Sequence, residues 1–185
     1  MMPTRTERLA FWRDKYAIQS FSDLQRLLPF MLSKIEQTSQ MRIWLTVCAT
    51  VLYARPFRQR PAEVRLVAED EVPIKFRAAH DEVLLYRDKV IAHRDPDAHK
   101  KGVWGNELPI VSKGNDLFIP TTSPAMNDDI ARDLLELVEI LIPRLKARAA
   151  SFIPKYLPEP LAPGEYLLSL EDNPVEWLRK APAGQ

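Results

Sequence analysis

Apolar residues recur at three- and four-residue spacing along most of the chain, a periodicity that predicts helices rather than strands. From residue 22 onward Leu24, Leu27, Leu28, Met31, Leu32 and Ile35 form such a stripe, with Ser20 or Ser22 as its N-cap. Pro29 is expected to kink or break this helix, because it removes a backbone donor and crowds the preceding turn. A shorter amphipathic segment over residues 6–17 carries Leu9, Phe11, Trp12 and Tyr16. The stretch 41–53 is apolar on most sides and is expected as the most buried helix, with Trp44, Leu45 and Leu52 in the core. Pro56 should end it, leaving Arg55 to complement the helix dipole.

A short helix is expected around residues 63–68, and a longer one over residues 73–93, opened by Pro73 and closed by Asp95-Pro96. Its buried side comprises Phe76, Ala79, Val83, Leu84, Tyr86, Val90 and Ile91. Gly102, Gly105, Pro109 and Gly114 mark irregular structure, and the apolar pieces flanking Lys113-Gly114-Asn115 predict a short β-hairpin. Asn127 or Asp128 can cap a long helix whose stripe runs Ile130, Leu134, Leu137, Val138, Leu141, Ile142 and Leu145, with a bend at Pro143. Beyond residue 151 prolines crowd the sequence, and Tyr166-Leu167-Leu168 and Trp177-Leu178 are the anchors expected to dock an extended tail. The expected architecture is all-α: a helical bundle over residues 1–150 with a short β-hairpin insertion, and a Pro-rich extension, 151–185, packed on the same domain.

Composition narrows this picture only slightly. A chain of 185 residues, 46% hydrophobic and 28% charged, suits a single globular domain. Lys+Arg 26 against Asp+Glu 25 means that any basic binding surface must be local. The longest apolar run, residues 43–54, holds about 12 residues, too few to cross a bilayer as a helix. The opening residues lack the apolar stretch of a secretory signal, so a cytoplasmic protein without a membrane partner is expected. The single cysteine, Cys48, reads as an inert buried thiol. No glycine-rich phosphate loop and no H-E-x-x-H arrangement occurs, so neither a nucleotide cofactor bound by such a loop nor a metal is expected.

Candidate chemistry gathers between residues 80 and 95. Arg87 is a permanent cation able to grip a phosphate bidentately, and His93, six residues later, can move a proton near neutral pH. Phosphodiester cleavage needs both capacities. At about 100° per residue His80 and Arg87 fall within about 20° of one another, whereas Arg87 and His93 stand about 120° apart. Either the helix bends before His93 or a second chain completes the cleft. The plainer reading of the same residues is a surface cation and an imidazole stabilised at a helix C-terminus.

Arg87-Asp88-Lys89-Val90-Ile91-Ala92-His93 resembles the R-x4-6-H motif of the HEPN (higher eukaryotes and prokaryotes nucleotide-binding) superfamily. His80, the Arg87-Asp88-Lys89 triplet, Ala92-His93 and Asp95 resemble one stretch of bacterial HEPN-like proteins, and Tyr53-Ala54-Arg55-Pro56-Phe57 resembles another that lies upstream in them. Arg94 stands where many of these carry serine or another small polar residue. The resemblance, over residues 40–100, implies a dimerising helical bundle whose catalytic members are metal-independent ribonucleases, many of them toxins with a cognate antitoxin or phage-defence proteins. Inactive members bind RNA or nucleotide, or mediate assembly. Carried over, Arg87 would hold the scissile phosphate, His93 would act as general acid or base, and Asp88 would orient Arg87 or a water. His80, Arg55 and Arg94 would contact substrate. The implied partners are a second copy of the chain, RNA and an antitoxin, and no cofactor is implied.

Overall fold

The structure is a computed structural model and describes residues 2–58, 67, 69–88, 111–114, 116–118, 125–157, 159–172 and 174–182. It is mostly helical, with α1 (Arg5–Lys34), α2 (Gln40–Arg58), α3 (Arg77–Tyr86) and α4 (Asp128–Tyr156). Strands β1 (Val111–Lys113) and β2 (Asp116–Phe118) pair antiparallel, as do β3 (Tyr166–Leu168) and β4 (Leu178–Lys180). No helix among the described residues is long and apolar enough to cross a membrane.

α1 corrects two sequence expectations. It starts at a Thr4 cap, where Glu7 N–H donates to the Thr4 hydroxyl and the Glu7 carboxylate accepts from Thr4 N–H at 2.9 Å. It then runs unbroken through Pro29, absorbing the separate segment expected over residues 6–17. Ser20 is therefore no cap but a buried mid-helix residue whose hydroxyl donates to the Leu52 carbonyl on α2 at 2.9 Å. The missing donor at Pro29 costs about 3 kcal/mol. Leu24, Leu28 and Met31, all fully buried around it, each contribute about 1.5–3 kcal/mol and keep the helix continuous across it.

α2 packs antiparallel to α1, and so does α4, whose late residues meet early residues of α1: Arg148 binds Asp14 and Lys155 binds Glu7. The core between them joins Phe21, Leu24 and Leu28 of α1, Tyr53 and Phe57 of α2, Val83 and Leu84 of α3, and Leu134, Leu137, Leu141 and Leu145 of α4. The stripe expected on α4 is the one it buries, and Asn127 caps it by accepting from Asp129 N–H. Pro143 and Pro154 both lie inside this helix, which continues past residue 150 to Tyr156.

The orientation of α2 reverses the expectation. Trp44 is 57% exposed, Met41 and Cys48 are exposed, and Leu45 and Leu52 are only partly buried. The buried face is Arg42, Thr46, Ala49, Thr50, Tyr53, Ala54, Pro56 and Phe57. The reason lies in neighbouring helix ends. Arg42, fully buried, donates to the carbonyls of Met31 (2.6 Å) and Met126 (3.2 Å) and pairs with Asp128. Thr46 accepts from Met126 N–H at 2.9 Å while donating to the Arg42 carbonyl. One polar face thus satisfies backbone groups at the end of α1 and the start of α4, which would otherwise be stranded. The helix also passes through Pro56 to Arg58 instead of stopping before it.

The hairpin lies where the sequence places it: Ser112 pairs with Leu117, and the turn glycine, Gly114, has φ +70°, a backbone region that suits glycine. The C-terminal extension is not simply an extended tail, because its two expected anchors pair with each other, Leu168 opposite Leu178. Arg8, almost wholly buried, fastens this hairpin by donating to the carbonyls of Ser169 and Glu171 as well as Pro3. Trp177 rests edge-on against Phe152 and Tyr156, with ring centroids 6.0 and 6.4 Å apart. The helix expected around residues 63–68 lies outside the described residues, apart from the buried Val67.

Candidate functional site

Pro73 opens a short 3-10 turn, Ile74–Phe76, that feeds directly into α3. α3 buries Ala79, His80, Val83 and Leu84 and ends at Tyr86, after which Arg87 and Asp88 continue as a wider, π-type turn. The Arg87 N–H still bonds back to the carbonyls of Val83 and Leu84, so this turn fixes where its side chain leaves the backbone.

Arg87 Nη1 donates to Asp88 Oδ1 at 2.8 Å, and the other carboxylate oxygen, Oδ2, lies 3.3 Å from Nε of Arg58 on the last turn of α2. One carboxylate therefore bridges two guanidinium groups from two helices. The three side chains are about a third exposed, at 36%, 32% and 30% for Arg87, Asp88 and Arg58. These three side chains together carry a charge of +1 and are partly open to water, which suits an anion such as a phosphodiester. Asp88 meets Arg87 through a single guanidinium nitrogen. The same charge disfavours a cation, and among the described residues no group of three or more His, Cys, Asp and Glu side chains comes together to hold a metal.

His80 does not reach this surface. It is fully buried beneath Phe57, with ring centroids 4.7 Å apart, and its Nδ1 lies 2.6 Å from the Tyr53 hydroxyl. Burial, reinforced by the nearby charge of Asp81, pushes the Tyr53 hydroxyl pKa well above the ordinary tyrosine value. The phenol therefore keeps its proton and stays a neutral hydrogen-bond partner of the imidazole. This corrects the expectation of His80 as a substrate contact: with Tyr53 it forms a buried polar pair inside the core. The pair links α2 to α3, the helices that lead to Arg58 and Asp88.

Of the other expected site residues, Arg55 is exposed near the end of α2, while His93 and Arg94 lie outside the described residues. Arg58 as the second partner of Asp88 has no local signature, since nothing in the spacing of the sequence links residue 58 to residue 88. Compared with family models, with curated proteins and with solved structures, the chain matches none of them.

Proposed function

We propose that the Arg58–Asp88–Arg87 corner is the phosphate-gripping half of a metal-independent endoribonuclease site of HEPN type, with His93 as its acid–base group. The observation that supports this reading is the shared carboxylate, which holds Arg87 and Arg58 together at an open helix end. Arg87 would bind the non-bridging oxygens of the scissile phosphate and offset the charge that grows there. His93 would take the proton of the ribose 2′-hydroxyl as that oxygen attacks phosphorus; the P–O bond to the 5′-oxygen of the next nucleotide then breaks and that oxygen takes a proton from water. The products would be a 2′,3′-cyclic phosphate and a 5′-hydroxyl. The helical bundle is read here as HEPN-like, working in the cytoplasm as a homodimer and held in check by a cognate antitoxin.

A second reading, an inactive dimerisation or RNA-binding module, draws on the outward apolar face of α2, where Met41, Trp44 and Cys48 are exposed. Incubation of purified protein with structured and single-stranded RNA in the presence of chelator separates the two. Cleavage that falls about a hundredfold or more in both Arg87→Ala and His93→Ala supports the enzyme. Cleavage unchanged in both variants refutes the site, and RNA binding without cleavage selects the module.

A further inference from the structure

Away from the Arg87 corner, the first half of α1, the last third of α4 and the 3-10 turn Glu69–Glu71 enclose a cleft of about 460 Å³. This is within the range of sites that take a small organic ligand. One side is aromatic: Phe11 stacks on Phe152 at 4.5 Å, and Tyr156 lies against Phe152 at 4.8 Å. The other side is charged, and most of its charge is already engaged. Asp14, buried, receives Arg148 through Nε at 3.0 Å and Nη2 at 2.6 Å, while Arg148 Nη1 reaches Glu71 at 3.1 Å. Glu7 accepts from Lys155 at 2.7 Å and from the Tyr156 hydroxyl.

Arg13 is the exception. It lines the same cleft, its Nε is withdrawn from solvent, and that donor has no hydrogen-bond partner among the described residues. Buried donors are almost always satisfied, and a guanidinium left without an acceptor while lining a cavity with an aromatic wall is a cation that can turn to a ligand's acceptor.

We propose that this cleft binds a small ring-bearing monoanion, such as an aromatic carboxylate, with its charged group on Arg13 and its ring against Phe11, Phe152 and Tyr156. The charge balance selects the class. Glu7, Asp14 and Glu71 oppose Arg13, Arg148 and Lys155, so the cleft is neutral overall. A single negative charge can be met by Arg13 alone, whereas a dianion would face the neighbouring carboxylates without a second uncommitted cation lining the cleft. A divalent cation would have to strip the same carboxylates of their present partners.

Anilinonaphthalene sulfonate, a ring-bearing monoanion that fluoresces when desolvated, serves as the probe on the full chain. Saturable binding is expected, displaced by phenylacetate but at least about tenfold less well by the uncharged phenylacetamide, since the charge-assisted bond is lost. Arg13→Gln should weaken the probe by about tenfold or more, and Trp44→Ser should leave it unchanged. Absence of saturable binding, equal displacement by both competitors, or unaltered affinity in Arg13→Gln with native circular dichroism would each overturn the proposal. So would loss of the signal in Trp44→Ser, which would put the probe on the face of α2. The competition needs no variant, and none of these readings depends on RNA cleavage.

Discussion

Along the α1–α4 seam the leucines face inward and the ion pairs Asp14–Arg148 and Glu7–Lys155 sit toward the margin, while α2 buries an arginine and two threonines and turns a tryptophan outward. Both layers are stable solutions, but they solve different problems. The seam removes apolar area from water and needs little else. α2 lies where α1 ends and α4 begins, and there the pressing need is to satisfy carbonyl and N–H groups at helix termini. A helix interior of carbon alone would leave the Met31 and Met126 carbonyls unmet; Arg42 meets both. The comparison teaches that burial in this protein follows backbone demand as much as hydrophobicity, and that the apolar residues displaced from α2's inner face are left as surface.

That contrast can be broken most forcefully at Arg42. Arg42→Met keeps much of the volume but strands two buried carbonyls, and the expected loss is about 2–6 kcal/mol in urea unfolding. A loss under about 1 kcal/mol would mean that the polar face of α2 is incidental. Next in size is Tyr53→Phe, which removes the hydroxyl partner of His80 Nδ1 inside the core and should cost about 1–3 kcal/mol. The same measurement checks it, with retained helicity as control. On the proposed ribonuclease reading, weakened RNA binding at the Arg87 corner should accompany the loss.

The seam's own polar margin is tested by pH. Glu7 is held well below the usual carboxylate range, by Lys155 first, then Tyr156 and Thr4. A depressed folded-state pKa contributes stability that is full above the unfolded value, about 4.3, and is lost as pH falls below it toward the folded value. Glu7→Gln should therefore flatten the acid limb of the stability profile below about pH 5 while altering it little on lowering the pH from 8 to 6. An acid limb of unchanged slope would show the contact to be screened away by solvent. Smallest of all is Trp44→Ser. With Trp44 exposed, stability of the isolated chain should move by no more than about 0.5 kcal/mol. A much larger loss, growing with protein concentration, would instead reveal a second copy covering that face.

α4 is legible in the sequence because its stripe has one apolar side, one polar side and a cap at Asn127, so period and orientation are read together. The hairpin around Gly114 is legible from its turn chemistry. α2 is not, because a helix apolar on most of its circumference reveals its existence without revealing which side faces in. The contacts that decide it lie 11 residues back, at Met31, and 84 residues ahead, at Met126. Pro29 does not break α1 for a related reason: the local penalty is real, but packing on both sides of it is stronger. At the candidate site, Arg87 and Asp88 stand out through their motif, while Arg58 comes to Asp88 only through the packing of α3 on α2. His80 shares the motif's stretch yet turns inward, since its position on α3 is fixed by a buried phenol that sequence spacing does not reveal.

Arg8 bears on the order of folding. Its bonds to Ser169 and Glu171 close loops of 161 and 163 residues, whereas the α1–α2 contact between Ser20 and Leu52 spans 32. Closing so long a loop becomes inexpensive only after the helices between have assembled, so the clamp belongs to the last stage of the folding reaction. An interaction absent from the transition state acts on escape rather than arrival. The buried guanidinium at residue 8 is thus a brake on unfolding: Arg8→Met would steepen the loss of native protein with time while refolding proceeds at its former rate.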